Sequence, residues 1–146
     1  MRPEPLARAA RVQRAAARQG FDWPRGDPRL WDKLAEEIAE LKRARRHRGR
    51  SAEELGDLLF MVVNLARHLR VDPRAALARA VDKFERRYAH VMRHAARLPR
   101  LGDARRLDRM EALWQEAKRR ERKGRRGKVA AKRSRRGIGR AHRSGR

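Results

Sequence analysis

Six carboxylates crowd together in a chain that is otherwise strongly basic: Glu36, Glu37 and Glu40, then Glu53, Glu54 and Asp57. The whole sequence carries 42 Lys+Arg against 18 Asp+Glu, a formal net charge of +24. At about 100° per residue, Glu36, Glu37 and Glu40 share one helical face with Lys33, and Glu54 and Asp57 share another. If the two helices form an antiparallel hairpin, both acidic faces meet in one cleft. Concentrated carboxylates repel one another, and some would have to protonate. A hard divalent cation removes that conflict. Mg²⁺ and Mn²⁺ take oxygen ligands, and Mg²⁺ keeps positions open for water and phosphate oxygens. Glu37, Glu40, Glu54 and Asp57 are therefore four candidate ligands, and a metal-loaded acidic cleft in a cationic protein suits a phosphorylated substrate. The same residues admit a plainer reading. Glu54 is spaced as the N3 residue of a capping box opened by Ser51, Glu53 and Asp57 complement a helix dipole, and Glu36, Glu37 and Glu40 pair with Lys33, Arg43 and Arg45 on the surface. Pattern alone leaves both readings open.

The elements that must carry these acids are helical. No segment alternates with period two, and apolar residues recur at helical spacing instead. A first helix is expected over residues 4–19, ended by Gly20 and a turn through Phe21-Asp22-Trp23-Pro24-Arg25-Gly26. Asp27-Pro28 opens a second helix to about Arg46, with Leu30, Leu34, Ile38 and Leu41 as its stripe. Gly49 is read as ending the connection. Ser51-Ala52-Glu53-Glu54 opens a third helix to about Leu69, whose apolar residues spread around most of its surface and place it centrally. Asp72-Pro73 opens a fourth to about Leu98, with a seam of Leu77, Val81, Phe84, Tyr88, Val91, Ala95 and Leu98. A short last helix, 104–120, presents Leu107, Met110, Leu113, Trp114 and Ala117 on one side. The expected fold is all-α: a four-helix bundle with a short C-terminal helix. The broad apolar surface of the third helix favours a homodimer.

Residues 119–146 hold 14 Lys+Arg and one acid, Glu121. From Gly124 onward few apolar residues remain, so residues 122–146 are expected to be a disordered basic tail following a domain over 1–121. Such a tail attracts polyanions, nucleic acid included, in a salt-dependent way. The chain has no Cys, which excludes disulfides, thiolate zinc sites and cysteine nucleophiles. No stretch is long and apolar enough for a transmembrane helix, and the Arg-broken start carries no signal-peptide core, so a cytoplasmic protein is expected. There is no GxxxxGK[ST] or GxGxxG, so phosphate binding here does not use a Gly-rich loop. His90 and His94 have i, i+4 spacing but no third zinc ligand nearby in sequence. Phe60 is expected in the core, Trp23 as an anchor of its turn, and Trp31 in the core or a dimer contact. Asn64 lies on the Asp57 side of the third helix, as a buried polar residue or a substrate contact.

Lys33-Leu-Ala-Glu36-Glu37-Ile-Ala-Glu40 followed by Glu53-Glu54-Leu-Gly-Asp57-Leu-Leu-Phe60 resembles the EExxE…ExxD signature of the MazG family of nucleoside triphosphate pyrophosphohydrolases. Gly20-Phe21-Asp22-Trp23-Pro24, Val63-Asn64-Leu65-Ala66-Arg67-His68-Leu69, Lys83-Phe84-Glu85-Arg86-Arg87-Tyr88 and Glu111-Ala112-Leu113-Trp114 resemble further segments of the catalytic, C-terminal domain of MazG. The likeness runs in collinear order over about residues 6–120. It implies an all-α, Mg²⁺-dependent homodimer or larger oligomer, with Mn²⁺ as the alternative metal, that converts (d)NTPs to monophosphate and pyrophosphate. It implies that Glu37, Glu40, Glu54 and Asp57 hold Mg²⁺, and that Glu36 and Glu53 support those ligands or orient the attacking water. It assigns Lys33, Lys83 and Arg87 to phosphate oxygens, and Trp114 to the nucleoside. Lys83 and Arg87 also fit solvated charges lying over apolar neighbours. Full-length MazG has two such domains in tandem, where this chain has one. Two positions before Lys83, where the family often has Asn, stands Val81. Alternative readings are a helical protein of weak activity that binds nucleic acid through the tail, and a related pyrophosphohydrolase for dUTP or phosphoribosyl-ATP.

Overall fold

A computed structural model describes the backbone of residues 4–141 and the side chains of residues 4–124. The described residues form helices and no strands: α1 (Pro5–Arg18), α2 (Arg29–Ala44), α3 (Arg48–His68), α4 (Pro73–Met92), a 3₁₀ turn (Ala95–Arg97) and α5 (Arg105–Ala141). Acidic residues open four of the five. Glu4 accepts from the amides of Leu6 and Ala7 at 3.0 Å, with Pro5 beginning α1. Asp27, Asp72 and Asp103 each accept from the amide two residues on, at 2.9 Å. Amide groups that have no partner inside their own helix are satisfied this way.

Gly20 ends α1 at φ +86°, with its own amide donating to Ala17 and the Phe21 amide donating back to Ala16. The same pair of bonds ends α3, from Arg70 to Arg67 and from Val71 to Ala66. There the left-handed residue is Arg70, at φ +58°.

Three helix boundaries differ from the sequence expectation. Helix α4 ends at Met92 rather than near Leu98, and Ala95–Arg97 form a separate 3₁₀ turn. Helix α3 starts at Arg48, so Gly49 lies inside it and Ser51 is not its cap. The Ser51 hydroxyl instead donates to the Ala44 carbonyl at 2.8 Å, satisfying an acceptor at the C-terminal end of α2. Helix α5 does not stop near residue 120; its backbone is helical to Ala141. Residues 142–146 lie outside the described part.

The chain divides into two compact units, one ending at Ala80 and one beginning at Val81. In the first, α3 packs against both α1 and α2. Val63 and Met61 are buried on α3, Leu30 and Ala44 on α2, and Ala10 on α1. Ala44 is fully enclosed where the two helices turn back on each other. The central position expected for α3 is therefore met. In the second unit Val91, Leu113 and Ala117 are buried. The expected seam of α4 is only partly covered: Leu77, Val81, Phe84 and Tyr88 are exposed, as is Leu107 of α5.

Candidate functional site

Three residues connect α2 to α3, and Ser51 meets Ala44 beside that link. Two turns further from the link, Glu37 of α2 meets Glu54 and Asp57 of α3. The pairing runs in opposite directions, which makes the two helices an antiparallel hairpin. One carboxylate oxygen from each of Glu37, Glu54 and Asp57 lies within 4.8 Å of the others. Glu37 is 7% exposed, Glu54 half-buried and Asp57 exposed. A buried carboxylate facing two more acids needs positive charge beside it. Lys33, one turn back on α2, supplies some: its ammonium lies 2.9 Å from Glu37 and 3.0 Å from Glu36. Those two carboxylates, Glu37 foremost, hold the Lys33 ammonium well above its usual range. The donor set on the other flank is three oxygens on a rigid pair of helices. That fits a hard divalent cation, which takes oxygen ligands and completes its sphere with water.

The remaining sequence-derived residues are distributed around this cluster or away from it. Glu40 is outside the group of three and approaches Arg43 at 3.7 Å. Glu36 and Glu53 are exposed, the first paired with Lys33. Asn64 lies two turns along α3 from Asp57. Lys83, Arg87 and Trp114 belong to the second unit. There Lys83 is exposed, while Arg87 donates to Glu121 at 2.8 Å and lies 5.6 Å from the centre of the Trp114 ring. Trp114 also packs on Phe84, with ring centres 5.1 Å apart.

A cavity of about 630 Å³ adjoins the acids in the first unit. Glu37 and Asp57 line it, together with Lys33, Arg29 and Asn64 and the aromatic residues Phe21, Trp23 and Phe60. Its volume falls in the range of small-molecule sites, and its mixture of apolar wall and a few convergent polar groups is typical of them. Phe60, expected in the core, is 46% exposed and forms part of this wall. Trp23 lines the cavity from the turn after α1, and Trp31 is exposed.

A charged cluster that sequence reasoning did not assemble closes one side of the cavity. Asp22 accepts from both terminal nitrogens of Arg67, at 2.7 and 2.5 Å, and its Oδ1 lies 3.0 Å from His68 Nε2. Arg67 donates further to Asn64 Oδ1 at 2.7 Å. Asn64 is thus a half-buried partner of Arg67 that also lines the cavity. The sequence signals it only indirectly, in that Asp22 and Arg67-His68 lie within two of the segments that resemble MazG. The Arg67 hydrogen bond, more than the His68 contact, lowers the Asp22 pKa from 3.8 to about 2.

That shift has a pH consequence. Asp22 binds its proton more weakly in the folded chain than unfolded, so it adds stability above about pH 4, lost as pH falls towards 2. With solvent screening the contribution is about 1 kcal/mol. In thermal unfolding followed by circular dichroism, Asp22→Asn should lie below the parent chain at pH 6, and the gap should close by pH 2. A gap independent of pH would contradict the paired state of Asp22.

Residues 27–92 match the family described as the MazG nucleotide pyrophosphohydrolase domain. Over that stretch the chain is MazG-like. It is 42% identical over 120 residues to the nucleoside triphosphate pyrophosphohydrolase of Escherichia coli (strain K12), covering 80% of this chain and 45% of that protein. It is 38% identical over 114 residues to the nucleoside triphosphate pyrophosphohydrolase/pyrophosphatase MazG of Thermotoga maritima, covering 77% of this chain and 44% of that one. A shorter stretch of 71 residues is 41% identical to the uncharacterized protein YabN of Bacillus subtilis. The chain thus spans under half the length of these relatives. The MazG match contains the whole α2–α3 hairpin, so all three converging acids lie inside it. No helix of the described residues is long and apolar enough to cross a membrane.

Proposed function

We propose that this MazG-like chain hydrolyses nucleoside triphosphates to the monophosphate and pyrophosphate, with a divalent cation, Mg²⁺ foremost, held by Glu37, Glu54 and Asp57. The observation that carries this reading is the meeting of those three carboxylates beside a cavity walled by aromatic and cationic side chains. When bound, the cation supplies Lewis acidity at phosphate oxygens and lowers the pKa of a coordinated water. The chain's own residues do the rest. Lys33 fixes the Glu37 carboxylate and balances its buried charge. Glu36 and Glu53, solvated at the edge of the cluster, are available to accept a proton from the attacking water. Arg29 adds positive charge towards the polyphosphate, and Phe21, Trp23 and Phe60 offer apolar area to the nucleoside. Glu40 acts outside the three ligands, through its contact with Arg43. For Lys83, Arg87 and Trp114, which belong to the second unit, the assignment to phosphate and nucleoside rests on the family resemblance alone. The exposed Leu55, Leu59 and Val62 on α3 support a homodimer, since such a stripe is expensive to leave in water.

The test is incubation of the purified chain with the four dNTPs and four NTPs in the presence of Mg²⁺. Nucleoside monophosphates are followed by chromatography, and pyrophosphate by a coupled assay. Monophosphate and pyrophosphate in equal amounts are expected. Orthophosphate as the product, or no product from any nucleotide, would overturn the reading.

A further inference from the structure

Gln13 of α1 is 6% exposed, yet its polar groups are only half used. Its Nε2 donates to the Phe60 carbonyl at 2.7 Å. A carbonyl only accepts, so this bond fixes which way the amide faces. The other end, Oε1, is buried with no hydrogen-bond partner among the described residues. Gln13 lines the same cavity as Glu37 and Asp57, and its anchor Phe60 is one helical turn along α3 from Asp57. A buried acceptor without a donor is costly, and in a ligand cavity it marks where a ligand donor belongs.

Resting on the reading of the cavity as a nucleoside triphosphate site, we propose that Gln13 is a specificity-determining residue whose Oε1 accepts an N–H from the edge of the nucleobase. Phosphate oxygens are acceptors and carry negative charge, so the polyphosphate cannot satisfy it. The donors of a nucleotide are the N–H groups of the base and the hydroxyls of the sugar. Val12, Ala16, Phe21, Trp23, Phe60 and Met61 line the same cavity with apolar area. That lining suits the flat faces of a base and offers a hydroxylated sugar little. A site built to hydrogen-bond a particular N–H rejects an analogue that lacks it, because its own buried group is left unpaired.

The test compares kcat/KM for nucleotide pairs, using the intact chain with Mg²⁺. The pairs are dATP and 2′-deoxypurine riboside triphosphate, dCTP and its 4-deamino 2-pyrimidinone counterpart, and dTTP and N3-methyl-dTTP. The pair built on the fastest of dATP, dCTP and dTTP decides. The parent chain should discriminate against the donor-less partner by about tenfold or more, and Gln13→Met, close in shape but without the carbonyl, should discriminate less than about threefold. Gln13→Asn, which withdraws the carbonyl by one methylene, should behave like Gln13→Met and serves if that variant folds poorly. A parent chain that treats both partners alike would overturn the proposal. So would a Gln13→Met variant that slows all nucleotides equally, which marks a purely structural role. The 2′,3′-dideoxy counterpart supplies the sugar arm: if Gln13→Met erases discrimination against that analogue instead, the donor is the sugar hydroxyl and the assignment to the base is wrong. Absence of any pyrophosphate from the parent chain is a different failure, that of the function proposed above, and takes this inference with it.

Discussion

Glu54→Gln combined with Asp57→Asn is expected to reduce nucleotide hydrolysis by roughly 10³-fold or more, the several kcal/mol that metal polarisation contributes. Both substitutions keep side-chain shape and remove only charge. Neither residue is deeply buried, and neither takes part in the core formed by Leu30, Ala44, Met61 and Val63. Far-ultraviolet circular dichroism of the variant should therefore match that of the parent. Glu40→Gln is the internal control. Its carboxylate lies outside the 4.8 Å group and approaches Arg43 instead, so its loss should be within about tenfold, as for a residue outside the ligand sphere. Steady-state rates with saturating Mg²⁺ decide the matter. A double variant within tenfold of the parent, or Glu40→Gln as damaging as the double variant, would show that different acids hold the metal.

Arg67→Met should destabilise the first unit by about 1–2 kcal/mol, because it leaves the Asp22 carboxylate without its main partner and removes the bond to Asn64. Arg67 bridges the turn after α1 to the body of α3 through Asp22, and holds Asn64 with the same guanidinium. Its side chain is 19% exposed, so water replaces it poorly. Phe21 and Trp23 flank Asp22 and both line the cavity, so a loosened turn should also raise KM for the nucleotide more than it lowers kcat. Arg67→Lys should recover little, since an ammonium cannot make the two parallel bonds that Asp22 receives. Urea unfolding of the parent and both variants measures the loss. A change below about 0.5 kcal/mol would place this cluster among surface pairs that add little.

Much of this was legible in the sequence. The Asp-Pro pairs at 27–28 and 72–73 mark helix starts, and Gly20 marks a stop, because caps and left-handed turns depend on local chemistry. The 3.6-residue rhythm gave α1 to α4 and the central place of α3. The i, i+3 acids pointed to Glu37, Glu54 and Asp57, since two helices joined by a short link must run back along each other. What failed depended on contacts across the fold. Ser51 has capping-box spacing, yet the Ala44 carbonyl takes its hydroxyl. Arg70 ends α3 in a conformation for which glycine is the usual signal. Phe60 is apolar and so read as core, although the cavity that exposes it is formed by α1 and the following turn. The Asp22–Arg67–His68 cluster joins residues about 45 apart, which no local pattern announces.

The central claim is that three carboxylates of one helical hairpin hold a divalent cation. Titration of the purified chain with Mn²⁺, read by loss of the free-ion signal in electron paramagnetic resonance, tests it without relying on catalysis. The account predicts saturable binding by the parent chain, competed by Mg²⁺, and its loss when Glu37, Glu54 and Asp57 are all replaced by their amides. Equal Mn²⁺ binding by the parent chain and the triple variant would contradict it.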